Sequence, residues 1–586
     1  MINQTPAKRV LGVLSLFLVA AFLFPVHNYP YRSFFNELLP VAGVMAGLIY
    51  LAALPQGRIR LPATLVVPVG LIIVIALQTF NGLLLYPIDA LFPILTLLGF
   101  SVALILGATL SESGPGWPAL SFALAWTFIV SCLVSLVCQH LQIFNLDASP
   151  WVTPITSYGF LRPFANLGQP NLLALLFSLS IASVWYLYLM RQLRGAPALF
   201  MIVLLLWGSA LTQSRILWII YPVFVVLFWK QPPNTRPISR MALIFLVALF
   251  AVMVFFAPLL IQYMGQNADN LLHRAGQTSV RLTLWKQAWS FSLLHPWFGA
   301  GWYQFGAEQI RYAQFFNAVE YADNAHNIVL NFADEIGWPL TVLIFSAAAY
   351  WFYVCCVRRW SSVQVRFLSL ILIATMLHSM VEYPLWYGFF SVPFALVVGA
   401  LHQERLGCKE GRISRPFVVL VALLTVAVTV FVCVDTVRAI QAFKSLDEDQ
   451  QPTRISQPEA ALPLSRPAFT LYPQYYDFFA LHKLRIAPDN ARENMPLFQR
   501  QALRFGFPPV LESLALLYAW DNHPDAAVMM LIKIQRLYDN GSGDYAAVYR
   551  TWEGLAKDNP GYFGAIVQRL PKPTAVPNQE MADPTR

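Results

Sequence analysis

The sequence predicts an all-α, polytopic membrane protein that crosses the bilayer about 13 times, with one large outward loop and a small helical domain after the last span. Three observations predict it. Of 586 residues, 57% are hydrophobic and 12% charged, with mean hydropathy +0.56; a soluble chain carries about twice that charge. Apolar runs of about 17–22 residues recur, the length a helix needs to cross the hydrocarbon. Lysines and arginines also alternate between rich and poor loops, which sets orientation.

Taken in order, the spans fall at roughly 10–26, 38–54, 62–80, 90–110, 118–139, 169–190, 198–211, 216–229, 241–262, 336–356, 364–381, 386–402 and 416–436. The first run lacks a small-residue cleavage site and reads as a span, not a signal peptide. The two spans flanking Thr212-Gln213-Ser214-Arg215 are short and meet in a tight polar turn. One set of loops holds Lys8 and Arg9, Arg58 and Arg60, Arg191 and Arg194, Lys230, Arg236 and Arg240, Arg358 and Arg359, then Arg405, Lys409, Arg412 and Arg415. The other set offers Arg32, Arg162 and Arg215 in its short loops. The N-terminus is therefore expected in the cytoplasm and the C-terminus outside. The net charge of +9 sits where topology wants it, so it does not argue for nucleic acid. Six cysteines in or beside apolar runs show no disulfide or zinc spacing.

Residues 140–168, about 263–335 and everything after about 437 face outward on this reading, and the second loop is too long to be mere connection. It holds an amphipathic segment, Arg281 to Trp289, and a turn-rich stretch from His295 to Trp302. A helix follows in which Ala325, Ile328, Val329, Phe332, Ala333 and Ile336 form an apolar stripe. Asn327, Asn331, Asp334 and Glu335 occupy its other side. Asp323 or Asn324 is expected to cap it, and Gly337 and Pro339 to end it. That places His326 in the first turn, where the helix dipole disfavours imidazolium and leaves a ring able to accept a proton. The membrane part thus runs over 1–437. Residues 438–570 read as a helical domain in which Leu514 to Leu531 resembles one tetratricopeptide unit, and 571–586 as a proline-rich disordered tail.

Polar groups at the outer span ends are the candidate site, since an ionisable side chain at membrane depth is costly. They are Arg215, Gln169, Asn171, His378, Glu382 and Tyr383. Snorkelling, helix capping and an aromatic belt are the plain alternatives for most of them, but not for Glu382. Arg215 and Arg281 suit a diphosphate, because guanidinium forks bind phosphate oxygens and stabilise a leaving anion. A neutral His326 suits removal of a proton from an attacking hydroxyl. This chemistry calls for no metal and no cofactor. Asp447-Glu448-Asp449 reads as a solvated charge run in a linker.

These pieces resemble the bacterial O-oligosaccharyltransferases of the PglL type, in the O-antigen ligase and polymerase superfamily. The resemblance rests on Asn166-Leu-Gly-Gln-Pro-Asn171, Thr212-Gln-Ser-Arg215, Arg281-Leu-Thr-Leu-Trp-Lys-Gln-Ala-Trp289, Pro296-Trp-Phe-Gly-Ala-Gly-Trp302, Ala325-His-Asn-Ile-Val-Leu330 and His378-Ser-Met-Val-Glu-Tyr-Pro-Leu-Trp-Tyr387. It implies an undecaprenyl-diphosphate glycan donor at the periplasmic face of the bacterial inner membrane. It also implies transfer of the whole glycan to serine or threonine of a pilin or other exported protein. The family's histidine falls on His326, its glutamine on Gln169, its arginines on Arg215 and Arg281, and its motif tyrosine on Tyr383. Asn171, Glu382, His378 and Asn327 are further expected donor- or acceptor-binding side chains. Gln-Pro-Asn stands where some relatives have Gln-Arg-Asn, which removes a third positive charge. The alternative within the superfamily is an O-antigen ligase acting on lipid A–core, or a polymerase. A transporter or flippase would show internal repeats and mid-membrane ionisable groups; the sequence shows neither.

A periplasm-active reporter fused after about residue 440 should give signal and one fused near Gly411 none, as the basic-loop asymmetry requires. The reverse pattern inverts the orientation.

Overall fold

The computed structural model describes the chain except residues 1–3, 55–57, 112–115, 156–160, 230–234, 269–279, 317–320, 413, 449–465, 485, 539–543 and 574–586. The end of the acidic linker motif at Asp449 and most of the expected disordered tail thus lie outside the described residues. The described chain is helical apart from a short antiparallel ladder, Ile59–Leu61 with Lys409–Gly411, and an isolated bridge at Leu161 and Ala268. Arg58 and Arg60 pair with Glu410 beside that ladder.

Among the described residues, nine helices are long and apolar enough to cross a membrane: Pro6–Leu23, Phe34–Ala53, Ala63–Phe80, Pro87–Ser111, Pro118–Ile143, Pro170–Leu189, Arg240–Tyr263, Trp338–Arg359 and Arg415–Lys444. Gly195–Leu211, Leu217–Trp229 and Val363–Ser379 are apolar but shorter. The remaining expected span is the helix Gly388–Leu406. Length separates the three short helices from the nine, whereas Gly388–Leu406, at 19 residues, differs by its polar end, His402 to Arg405. A helix of 13 residues such as Leu217–Trp229 extends ~20 Å, short of a hydrocarbon core of ~30 Å.

The chain forms two compact units. The first comprises residues 1–74, 92–278 and 342–431. Its centre is the helix Pro170–Leu189, whose membrane-length window is 94% buried. A helix apolar all round must be surrounded, and this one packs against Gly116–Ile143, Gly195–Leu211 and Val363–Ser379. Ser178, Ser180 and Ser183 do not interrupt it. Each hydroxyl donates to the carbonyl four residues back, so none of the three is left bare. The Tyr186 and Phe367 rings stack at 4.4 Å on one flank. Elsewhere two glycines let backbones touch: a Cβ at Gly107 would collide with the Leu396 carbonyl, and one at Gly399 with that of Leu104. Small residues at helix crossings supply the close packing that association within lipid requires.

The second unit comprises residues 75–91, 279–341 and 432–586. It joins the long loop to the C-terminal helices. Ile310 and Ala313 of the loop share one apolar core with Phe498, Leu511, Leu531 and Trp552. Pro508–Trp520 and Pro524–Tyr538 make a helix–turn–helix whose corner is Asn522 in the left-handed region, φ 61°.

Gly399→Val should lower the thermal stability of the purified protein by about 1–3 kcal/mol or prevent its accumulation, as overpacking does. Gly12→Ala, where a Cβ meets nothing within 4 Å, should be neutral in the same melting assay.

Candidate active site

In the first unit the site begins with a strained turn. The helix Gly195–Leu211 ends, Leu217–Trp229 begins, and the link holds Gln213 at φ 50°. A non-glycine residue there costs of order 1 kcal/mol or more and needs surrounding bonds to hold it. Gln213 Nε2 supplies them, donating to the Ala210 carbonyl at 2.9 Å and to that of Val254 at 3.2 Å. The turn directs the Thr212 carbonyl at Arg162, which donates to it through Nε at 3.1 Å and Nη2 at 2.9 Å.

Asn171 collects the rest. It follows Pro170, the first residue of the central helix, with Gln169 as N-cap residue. Proline suits that position because its missing N–H would be unpaired there in any case. The Asn171 Oδ1 accepts from Ser214 Oγ at 2.9 Å and from Arg162 Nη2 at 3.2 Å, while its Nδ2 donates to Glu382 Oε1 at 2.6 Å. Gln169 Nε2 donates to the other Glu382 oxygen at 3.3 Å. Glu382 is 2% exposed, and the amide donors on its oxygens help offset the desolvation of a carboxylate. The structure therefore brings Gln169, Asn171 and Glu382 into one network. Arg215 borders it through its neighbour Ser214. Arg215 is exposed, and no carboxylate pairs with it among the described residues.

His378 enters differently. Its ring is fully buried, and it is its main-chain carbonyl that accepts the Glu382 N–H, at 2.9 Å. It thus fixes the turn that carries Glu382. Tyr383, half-buried, stacks on Tyr387 at 5.6 Å with 24° between the rings. Arg162 and Ser214 were missed by sequence reasoning as site residues. Arg162 did stand out as one of few arginines in the basic-poor loops.

In the second unit the helix after the candidate base runs Ile328–Ile336, and Asn327 caps it. The Asn327 Oδ1 accepts from the N–H groups of Val329 and Leu330, both at 3.1 Å. The expectation that Asp323 or Asn324 caps the helix, with His326 in its first turn, is corrected. His326 lies one residue before the cap, half-buried, at φ 50°. The reason is local competition. The Asn324 side chain accepts the His326 N–H at 3.0 Å, a bond that closes a turn instead of starting a helix. Asn331 reaches back to accept the Ala325 N–H, also at 3.0 Å. Three asparagines thus hold the backbone around one histidine.

The polar side of this helix is buried. Asn331, Asp334 and Glu335 are buried against the turn at 299–303. The Asp334 carbonyl accepts from Ala300 at 2.7 Å, Glu335 Oε1 accepts the Tyr303 N–H at 3.1 Å, and Gln78 Nε2 donates to the Glu335 carbonyl at 2.8 Å. Burial pushes the Glu335 carboxyl up to about 8, and burial with two neighbouring acids pushes Asp334 well above its usual range. Tyr321 ties this loop to the C-terminal helices. Its hydroxyl donates to the Arg504 carbonyl at 3.2 Å, and a Cβ at Gly306 would come within 2.7 Å of that hydroxyl, one at Gly506 within 2.7 Å of the ring. Arg504 in turn pairs with Asp89 at 3.0 Å. Arg281 is the second residue of the helix Val280–Leu294.

The two units are helical and the first is built of apolar spans, and the comparisons with known proteins point to one superfamily. Residues 200–345 match the O-antigen ligase family, and residues 367–550 match the virulence factor membrane-bound polymerase C-terminal family. The chain is thus similar, over these two stretches, to the O-antigen ligase and polymerase superfamily. Within it the likeness runs to the O-oligosaccharyltransferases of PglL type. The general O-oligosaccharyltransferase of Acinetobacter baylyi is 25% identical, over 68% of this chain and 70% of that protein. The ComP-specific O-oligosaccharyltransferase of the same organism is 24% identical, over 67% and 70%. No solved structure matches the chain.

A buried acid with a raised folded pKa is protonated in the fold but ionised in the unfolded chain between the two values. The stability that Glu335 contributes should therefore be fully present below about pH 4.5, be lost as pH rises towards about 8, and change no further above it. Glu335→Gln should flatten that slope in melting curves taken across the range. An unchanged slope would place its origin in another group.

Proposed function

We propose that the chain transfers a preassembled glycan from an undecaprenyl-diphosphate carrier to serine or threonine hydroxyls of a pilin or other exported protein, at the periplasmic face of the inner membrane. The observation that carries the reading is Arg215: exposed, without a carboxylate partner among the described residues, and borne on a turn strained into place beside the Asn171–Glu382 network. An arginine so placed has its donors available to a phosphate.

In the proposed reaction the acceptor hydroxyl oxygen attacks the anomeric carbon of the first sugar. The bond from that carbon to the diphosphate oxygen breaks, and its electron pair leaves with the diphosphate. His326 takes the hydroxyl proton, an assistance worth typically ~100- to 10,000-fold. Arg215 and Arg281 hold the diphosphate and stabilise the charge that grows on it. Gln169 and Asn171, oriented by Glu382, position the donor. Tyr383 serves the same site, while His378 and Asn327 act through the backbone they hold. The guanidinium charges take the place a divalent cation would otherwise fill on the leaving group, so the reaction should survive chelators.

A second reading, ligation of O-antigen to lipid A–core or polymerisation of the glycan, is favoured by the names of the two matched families. Glycan found on lipid A–core and not on protein would establish it.

Mass spectrometry of exported proteins from cells with and without the chain separates the readings: glycopeptides should vanish without it. His326→Ala should abolish transfer while the protein still inserts and binds donor lipid. Arg215→Lys and Arg281→Lys should recover little, because a point charge cannot replace a bidentate fork. Normal turnover in His326→Ala removes the base from this mechanism. Normal turnover in both lysine variants makes the arginines surface anchors.

A further inference from the structure

We infer that the helix Val280–Leu294, with the Trp297-Phe298 turn after it, lies flat on the bilayer and has the boundary between lipid headgroups and acyl chains as its partner. The helix has two faces, and the apolar one is not all inward. Leu284, Ala288 and Phe291 are buried in a small core with Phe305 and Ala325. Away from them Leu282, Lys286, Trp289 and Leu293 recur at intervals of three and four and are exposed. Trp297 and Phe298 extend the stripe at 70% and 78% exposure. An apolar surface of this extent is one that water-facing proteins seldom leave uncovered. The single lysine in it has a stem long enough to cover apolar surface with its ammonium in the headgroups.

The occupant is set by what the stripe is joined to. Trp338 is the first residue of a membrane-length helix, Trp338–Arg359. Its indole Nε1 donates to Ser292 Oγ at 3.2 Å, its ring meets Trp289 edge-on at 5.3 Å, and its N–H donates to the Pro296 carbonyl at 2.8 Å. Tryptophans collect at the level where a span leaves the hydrocarbon. Fastened there, the exposed stripe is continuous with a lipid-facing surface, and a bilayer covers it to a depth of about 5–10 Å. The inference stands whatever the chain transfers. Joined to the proposed chemistry, it sets Arg281 on the first turn of a helix held at headgroup depth, where a polyprenyl-linked diphosphate lies.

The test uses the full chain in nanodiscs of phosphatidylethanolamine and phosphatidylglycerol, with Cys408 and Cys433, the two cysteines that are not buried, replaced by serine. Nitroxide labels are placed singly on Leu293→Cys, Phe298→Cys and, as the aqueous control, Arg492→Cys. Power saturation should show 293 and 298 more accessible to oxygen than to a nickel chelate, and 492 the reverse. Nickel accessibility at 293 and 298 equal to that at 492 overturns the inference. Protection that appears only when a polyprenyl-diphosphate donor is added also overturns it, since the surface would then serve the donor's tail. A second measurement needs no label. Lipids brominated near the headgroup should quench wild-type fluorescence more strongly than that of a Trp289→Phe/Trp297→Phe variant, and equal quenching counts against the bilayer as partner.

Discussion

The amide of Asn171 is the point through which the membrane unit's polar site is held. Its oxygen accepts from Ser214 and Arg162, and its nitrogen donates to Glu382. An amide bonded on both ends cannot flip, so the three chain segments that meet there are held in one arrangement. The central helix supplies Asn171, the turn between two short helices supplies Ser214, and the turn before Tyr383 supplies Glu382. Such a network raises the cost of disorder, because in a low-dielectric setting a partner left behind is a buried polar group without water. Arg215, next to Ser214, gains a rigid base while its own side chain reaches solvent.

Left-handed non-glycine backbone occurs at seven described positions, and two of them lie where chemistry is proposed. Gln213 and His326 both adopt left-handed backbone, at φ 50° each, and neither is glycine. Each is held by side-chain amides bonded to nearby backbone: Gln213 by its own, His326 by those of Asn324, Asn327 and Asn331. A residue in a sparsely populated conformation persists only where its surroundings over-determine it. At His326 the result is a ring carried on a loop and not packed along a helix face.

The second unit meets a different constraint. Its loop helix turns Asp334 and Glu335 inward, and burial answers by keeping them protonated well into the neutral range. Their main-chain carbonyls and the Glu335 carboxyl oxygen then receive the N–H groups of Ala300, Gly301 and Tyr303, so the acids build the turn that closes the loop. Tyr321 and Arg504 bind that loop to the C-terminal helices, which thereby support the His326 segment.

Composition and run length by themselves determined the all-α membrane architecture, because each apolar run reports its own length and polarity without reference to any neighbour. Motif order alone likewise pointed to the superfamily, and Gln169, Asn171 and Glu382 stood out as polar groups where polar groups are costly. Tertiary structure decided the rest. That nine described helices reach membrane length and others fall short depends on where caps and turns cut each run. That Asn327, not Asn324, begins the helix depends on which amide bonds win locally. That Arg162 reaches Asn171 across the Thr212 carbonyl, and that a polar helix face can be buried, depends on packing between segments far apart in the chain. Periodicity separates one face of a helix from the other, but what either face meets is set by neighbours that no local pattern encodes.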